Sequence, residues 1–267
     1  MKRLKKYLLC AVPTVAALYA ATLGTLYLVQ EKLLFHPQTL AADYTFHFPV
    51  PYREIRLPVA GAELHGLHFR HDNPKGVIVF FHGNAGSLAH WGNIGARLAA
   101  LGYDCYLFDY RGYGKSTGRL RSETQMLADV DAMMAYIRRD SGDKPLTLIG
   151  YSLGSGMAAY AAAHYPVERL ILVSPFHTLR GLIQEEYPIV PAPLIKYPLP
   201  SAEYLAQSPE TPILLFHGRR DTLIPPAHSH RLRAQFPDRA ILHELDAGHG
   251  DVWNDPAIWK VVGETLR

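Results

Sequence analysis

The stretch from residue 146 to residue 164 restricts the fold more than any other part of the chain. A short apolar run over 146–149 passes directly into Gly150-Tyr151-Ser152-Leu153-Gly154, then into an alanine-rich segment ending near His164. A strand that turns at once into a helix brings two backbones close together. Glycine two residues before and two after the central serine removes the Cβ atoms that would collide there. Ser152 is then lifted above the end of the strand, in a backbone expected to be strained. A turn of this kind belongs at the C-terminal edge of a parallel sheet covered by helices.

The rest of the body repeats the rhythm. Residues 76–81 (GVIVFF) read as a strand buried on both faces. A helix over 90–101, a strand over 104–108 and a glycine-rich loop over 109–118 follow. Ser122 and Gln125 stand in capping-box spacing, and Met126, Val130, Met133, Met134 and Ile137 recur behind them at helical intervals. Strands are expected over 170–173, 213–216 and 240–245, with helices over 227–235 and from Pro256 onward, where Asp255 is a suitable N-cap. Upstream, runs over 52–57 and 63–70 flank Ala60-Gly61-Ala62 as an antiparallel hairpin. The pattern predicts an α/β fold, a mainly parallel sheet with helices on both faces. Residues 175–209 break the alternation. With seven prolines and several tyrosines they are expected to form a short cap over the sheet edge; an ordinary long surface connection is the alternative.

The first thirty residues are of another kind. Residues 7–30 carry no charge. As a helix they would reach about 36 Å, enough for a bilayer core of about 30 Å. Pro13 is tolerated better in a membrane helix than in a soluble one. Lys2, Arg3, Lys5 and Lys6 precede the span, so the positive-inside rule keeps the N-terminus cytoplasmic and carries the body across, into the periplasm if the cell is bacterial. Residues 1–36 thus read as a tip and signal-anchor helix, and 37–267 as one globular body. A cleaved signal peptide, with small residues at 20–22 as its cleavage site, is the competing reading. A helix packed on the body is the third. Leu9 before Cys10 argues against a lipoprotein site.

The net charge is +3, and the four early basic residues leave the remainder at −1, so nothing in the charge points to nucleic acid. Hydrophobic residues at 48% and charged ones at 19% exclude a disordered chain. Two cysteines cannot build a disulfide framework, and Cys105 is expected to be a small buried hydrophobe.

A serine hydroxyl becomes a competent nucleophile when a base removes its proton. His249, in Asp246-Ala247-Gly248-His249-Gly250, lies in a loop between the last strand and the last helix, where it can reach Ser152. Asp221 leaves the preceding strand through Phe216-His217-Gly218-Arg219-Arg220 and is the expected partner of that imidazole, fixing its tautomer. Asp246 and Asp251 are nearer in sequence, which is not the geometry required. The turn Phe81-His82-Gly83-Asn84-Ala85-Gly86 follows the first strongly apolar strand. The backbone N–H of Asn84 (or Ala85) and that of Leu153 are the expected oxyanion donors, with His82 fixing the loop. Tyr151, Phe176, Leu223, Ile224 and the tyrosines of 175–209 are candidate walls of an acyl pocket. Neither His65, His68 and His71 nor His228 and His230 have metal-ligand spacing, so no metal is expected. The glycines around Arg111 lack the spacing of a phosphate loop and read as fold-shaping.

Taken together, His82–Gly86 (HGNAG), 109–118 (DYRGYGKSTG), 150–154 (GYSLG), Ser174-Pro175-Phe176, 217–225 (HGRRDTLIP) and Gly248-His249 resemble the α/β-hydrolase superfamily. The apolar helix followed by 30–37 (QEKLLFHP) resembles its membrane-anchored branch of abhydrolase-domain and serine-aminopeptidase-like proteins. The order Ser, Asp, His is that of this superfamily. The resemblance covers nearly the whole chain and implies hydrolysis of an ester or thioester, less readily an amide, through an acyl-enzyme and without a cofactor. The expected partners are a small or lipid-like acyl substrate and, through the N-terminal helix, a membrane. A catalytically silent binding or scaffold protein on the same fold is the alternative.

Overall fold

The strand-and-helix alternation builds an eight-stranded sheet, beside a two-residue parallel pairing of His36–Pro37 with Ala85–Gly86, in the computed structural model, which describes the backbone of residues 2–267 and the side chains of residues 11–267. The basic cluster at Lys2, Arg3, Lys5 and Lys6, and Cys10, lie outside the described side chains. In chain order the elements are α1 (Lys2–Leu34), β1 (His36–Pro37), β2 (Tyr52–Val59), β3 (Ala62–Phe69), β4 (Val77–Phe81), β5 (Ala85–Gly86), α2 (Leu88–Ala99), β6 (Asp104–Phe108), α3 (Glu123–Ser141) and β7 (Leu146–Tyr151). There follow α4 (Leu153–His164), β8 (Arg169–Val173), α5 (Leu179–Glu186), α6 (Ser201–Ala206), β9 (Ile213–Gly218), α7 (Ala227–Gln235), β10 (Ala240–Leu245) and α8 (Pro256–Thr265).

The spatial order is β10-β9-β8-β7-β4-β6-β3-β2. Strands from β10 to β6 run parallel, while β3 pairs antiparallel with both β6 and β2, so the expected hairpin closes one edge. β4 shows why its sequence is apolar throughout. Val77, Val79 and Phe81 pack on one face with Val130, Met134 and Ile137 of α3. Ile78 and Phe80 pack on the other with Leu88 and Leu98 of α2 and Ile258 and Val262 of α8. Each such side chain contributes roughly 1.5–3 kcal/mol by leaving water, so a polar residue on either face would cost the sheet its cover. The local signals behave as their chemistry dictates: Ser122 Oγ accepts from Gln125 N at 3.1 Å, and Asp255 Oδ1 accepts from Ala257 N at 2.9 Å.

Helix α2 begins earlier than the expected 90–101, because its first turn is capped from a distance. The Asp109 carboxylate, not the Ser87 side chain, accepts from Leu88 N. The segment 175–209 contains α5, a short 3-10 turn at Ala192–Leu194, and α6.

Helix α1 includes a stretch, Ala11–Leu34, long and apolar enough to cross a membrane, with mean hydropathy 1.6 in its most apolar window. Residues 11–20 are all exposed. The last turns are held against the segment after α5. Gln30 donates from Nε2 to Leu194 O at 2.6 Å and accepts at Oε1 from Lys196 N at 3.0 Å. Lys196 Nζ lies 3.1 Å from Glu31 Oε1, and Phe35 meets Tyr197 edge-on at 4.9 Å.

Candidate active site

The Gly150–Gly154 turn is dictated by clearance. A Cβ on Gly150 would lie 2.5 Å from Gly154 O and 2.7 Å from Ala158 Cβ. A Cβ on Gly154 would overlap the backbone carbonyls of Phe81 and His82. With both absent, β7 runs straight into α4, and Ser152 takes φ 53°, ψ −120°, a conformation L side chains rarely adopt. Its N–H donates to Val173 O at 2.9 Å, and its carbonyl accepts from Ser155 N and Ser155 Oγ at 2.9 and 2.6 Å. The strain is thus held by hydrogen bonds on both sides.

The loops after β9 and β10 bring the two other side chains to the same edge. Ser152 Oγ lies 2.9 Å from His249 Nε2, and His249 Nδ1 lies 2.7 Å from Asp221 Oδ2. Asp221 is buried, and its Oδ1 accepts from Leu223 N and Ile224 N at 3.0 and 2.9 Å. Burial alone would raise its carboxyl pKa; hydrogen bonds from His217, His249 and Ile224 outweigh burial and hold it well below the usual carboxylate range. A charged Asp221 accepts a hydrogen bond from His249 Nδ1–H, which keeps the proton on Nδ1 and leaves Nε2 free to accept from Ser152 Oγ.

Several supporting groups are not evident from sequence spacing. His217 Nε2 donates to Ile224 O at 2.8 Å and its Nδ1 accepts from Ser229 Oγ at 2.7 Å, which fixes the turn presenting Asp221. Tyr151 OH donates to His249 O at 2.7 Å, and the two rings stack at 5.3 Å. Asp251 accepts from Gly248 N at 2.6 Å and so shapes the histidine loop, while Asp246 is paired with Arg220 at the surface.

The Asn84 loop is tied down from three directions. Tyr113 OH donates to Asn84 O at 2.6 Å, and Tyr110 OH to His82 O at 2.7 Å. The third tie comes from the end of α1: His36 N donates to Asn84 O at 2.9 Å, and Asn84 Nδ2 donates to Leu34 O at 3.0 Å. Among the described residues the backbone N–H groups of Asn84 and Leu153 have no acceptor. His82 is fully buried, stacks on Tyr110 at 4.0 Å and donates from Nδ1 to Gly83 O, so it lies beneath the loop.

A cavity of about 320 Å³ opens over Ser152. Asn84, Leu153, Phe176, Leu223 and Ile224 line it. Tyr151 does not. Its ring is buried under the histidine loop, against Trp91 and Trp253, so the expectation of a pocket wall is corrected to a brace for His249. Tyr187, one of the cap tyrosines, lines the cavity too, while Leu33 and Leu34 of α1 and Leu182 and Ile183 of the cap are walls the sequence did not announce.

Residues 76–194 match the family described as alpha/beta hydrolase fold; Asp221 and His249 lie beyond the matched segment. An uncharacterised Mycobacterium tuberculosis protein is 30% identical over 260 residues, covering 90% of this chain and 89% of that one. An uncharacterised membrane protein of Saccharomyces cerevisiae is 25% identical over 265 residues, covering 94% and 93%. The lysophosphatidylserine lipase ABHD12 of Danio rerio is 31% identical over 188 residues, covering 61% of this chain and 47% of that one. Among solved structures, the Pyrococcus furiosus esterase Pf2001 superposes with TM-score 0.70 at 18% identity, over 87% of this chain and 97% of that one. With a sheet of this order, helices on both faces and relatives matched over most of their length, the chain belongs to the α/β-hydrolase superfamily and is a hydrolase with an N-terminal apolar helix.

Proposed function

We propose that this protein is a membrane-anchored serine hydrolase that cleaves an ester or thioester through an acyl-enzyme on Ser152. One observation carries the reading: an unbroken chain from Ser152 Oγ through His249 to a buried, charged Asp221, at the floor of an apolar cavity. In the acylation step His249 Nε2 takes the Ser152 proton as Oγ bonds to the acyl carbon. The carbonyl electrons move onto oxygen, where the N–H groups of Asn84 and Leu153 would hold them; one such donor is worth about 2.7–4 kcal/mol of barrier. The electrons return, the bond to the leaving group breaks, and His249 hands its proton to that group. Water repeats the sequence and releases the acid. Relatives named as a lysophosphatidylserine lipase and an esterase support an ester as the scissile bond.

Residues 1–36 serve as the anchor, with the basic cluster at Lys2, Arg3, Lys5 and Lys6 holding the N-terminus in the cytoplasm. Residues 37–267 form the extracytoplasmic hydrolase body, with 175–209 as its cap.

The test is turnover of p-nitrophenyl butyrate by wild type and Ser152→Ala, together with fluorophosphonate labelling. The variant should lose both. Equal turnover by the two proteins would discard the assignment in favour of a silent fold.

A further inference from the structure

We propose that the tip of the cap, residues 187–195, is embedded in the same bilayer leaflet as the end of α1, and that the groove between them leads a single acyl chain from the lipid to Ser152. This rests on the anchor and serine-hydrolase reading above.

The depth follows from where the tip meets α1. Tyr19 OH donates to Ile189 O at 2.7 Å. Glu31, Lys32 and Lys196 cluster at the other end of the contact and mark the water boundary. Tyr19 lies twelve residues before Glu31, or about 18 Å along an upright helix, in a hydrocarbon core of about 30 Å. If α1 spans, Ile189 reaches about the middle of that core.

The tip is built for such a place. Residues 187–195 (YPIVPAPLI) contain no charged residue, and Tyr187 and Ile189 expose 58% and 60% of their surface. Irregular backbone is costly in lipid because each free N–H or C=O lacks water. Pro188, Pro191 and Pro193 have no N–H to satisfy. The N–H groups of Tyr187, Val190, Leu194 and Ile195 donate to local carbonyls at 2.8–3.1 Å. The carbonyls of Ile189 and Leu194 accept from α1, through Tyr19 OH and Gln30 Nε2.

Between tip and helix lies an apolar groove of about 390 Å³. Leu23, Leu26, Tyr27 and Gln30 line its α1 side, one helical face, and Val190, Leu194 and Ile195 line the cap side. Leu33, Leu34, Ile183 and Tyr187 line both this groove and the cavity over Ser152, so the two spaces adjoin. From Leu23 to Leu34 the wall runs about 16 Å, the reach of an extended medium-to-long acyl chain. At the inner end His36, Glu186 and Thr222 supply polar groups for the non-acyl part. The occupant is therefore a one-chain lipid ester, entering tail-last from the leaflet with its carbonyl at Ser152.

The experiment uses the full chain in phosphatidylcholine vesicles, with p-nitrophenyl butyrate and p-nitrophenyl palmitate, which share a leaving group. Leu26→Trp and Leu194→Trp fill the groove away from Ser152. Both should keep butyrate turnover and fluorophosphonate labelling, and lower palmitate turnover about tenfold or more. Unchanged palmitate turnover would overturn the route. If a plug abolishes labelling, depth decides instead: fluorescence gained in Ile189→Trp should be quenched by lipid brominated mid-chain, and quenching by aqueous iodide alone would overturn the proposal. A wild type inactive on both esters with Ile189→Trp still quenched by the lipid would remove the hydrolase reading and leave the embedding.

Discussion

The sheet edge that carries Ser152 and the cap that faces α1 are neighbours built on opposite rules. At the edge, backbone lies on backbone. Gly150 and Gly154 leave no room for a methyl group, Ser155 and Val173 lock the Ser152 backbone, and Asp221 is buried under two N–H donors and two imidazoles. On the cap, Tyr187 and Ile189 stand exposed at 58% and 60%, as Leu223 does at 58% on the loop after β9 that lines the same cavity, and the cap is held by a few hydrogen bonds to α1. Bond-making chemistry tolerates little displacement of its groups. An acyl chain needs only a dry, loosely matched wall. One fold therefore keeps a rigid floor and an adaptable roof, and the two should respond differently to mutation.

The largest separation should come from Asp221→Asn. It keeps the shape of the floor and removes the charge that fixes the His249 tautomer, so kcat on p-nitrophenyl butyrate should fall about 10⁴-fold. Circular dichroism should hardly move, while the melting temperature should fall, because the buried charge held by Leu223 N, Ile224 N and His249 also contributes to stability at neutral pH. A loss below about tenfold would show that the His249–Asp221 contact at 2.7 Å does not serve the chemistry.

Gly154→Ala attacks the floor through sterics. Its new methyl would meet backbone atoms of Phe81 and His82, which cannot rotate away. A destabilisation of more than about 4 kcal/mol is expected in urea unfolding, at the severe end for a single substitution. Gly250→Ala is the control beside His249. Nothing lies within 4 Å of the added methyl, so its effect should stay within about 0.5 kcal/mol. Similar costs for the two would contradict the close approach of β4 and α4.

The same contrast explains what could be read from sequence. The edge was legible because its constraints are local and leave residue-type signatures: glycines at fixed offsets, a histidine and an aspartate in loops after apolar strands. Strands such as Asp104–Phe108 and Ala240–Leu245 were legible for the same reason. The cap offered only prolines and tyrosines, so α5 and α6 could not be told from loop. The groups that brace the site were hidden by distance. Nothing near Asn84 announces that Leu34 O, fifty residues away, will accept from its amide, or that Asp109 will cap α2. Tyr151 misled because adjacency to Ser152 in sequence puts its side chain on the opposite side of the strand, under His249.

On the roof, Leu223→Ala should leave kcat on long-chain esters unchanged and raise KM about tenfold, the scale of a few methylenes in an apolar pocket. The side chain is 58% exposed while lining the cavity over Ser152, so stability should change by less than about 0.5 kcal/mol. A fall in kcat with KM unchanged would place Leu223 with the floor.

The smallest expected effect sharpens the comparison from inside the floor. Asp109 is fully buried, accepts from Leu88 N at 3.1 and 3.2 Å, and is pushed up to about 8 by burial, against the opposing effect of that hydrogen bond. His82 beside it is pushed down to about 4 by burial, so at pH 7 both are largely neutral and their 3.6 Å contact is no ion pair. An unfolded Asp titrates near 3.9. Between that value and 8 the folded state binds the extra proton, so this contribution to stability is complete at low pH and is lost as pH rises through 8. His82 and His228, both near 4 in the fold and about 6.5 unfolded, slope the other way but only below about pH 6.5. From pH 6.5 to 8.5, then, Tm of the wild type should decline by a few degrees, while Asp109→Asn, which keeps an acceptor for Leu88 N and cannot ionise, should stay flat. Equal slopes for the two proteins would mean that Asp109 is already charged in the fold, and that the floor beneath Ser152 is wetter than its packing implies.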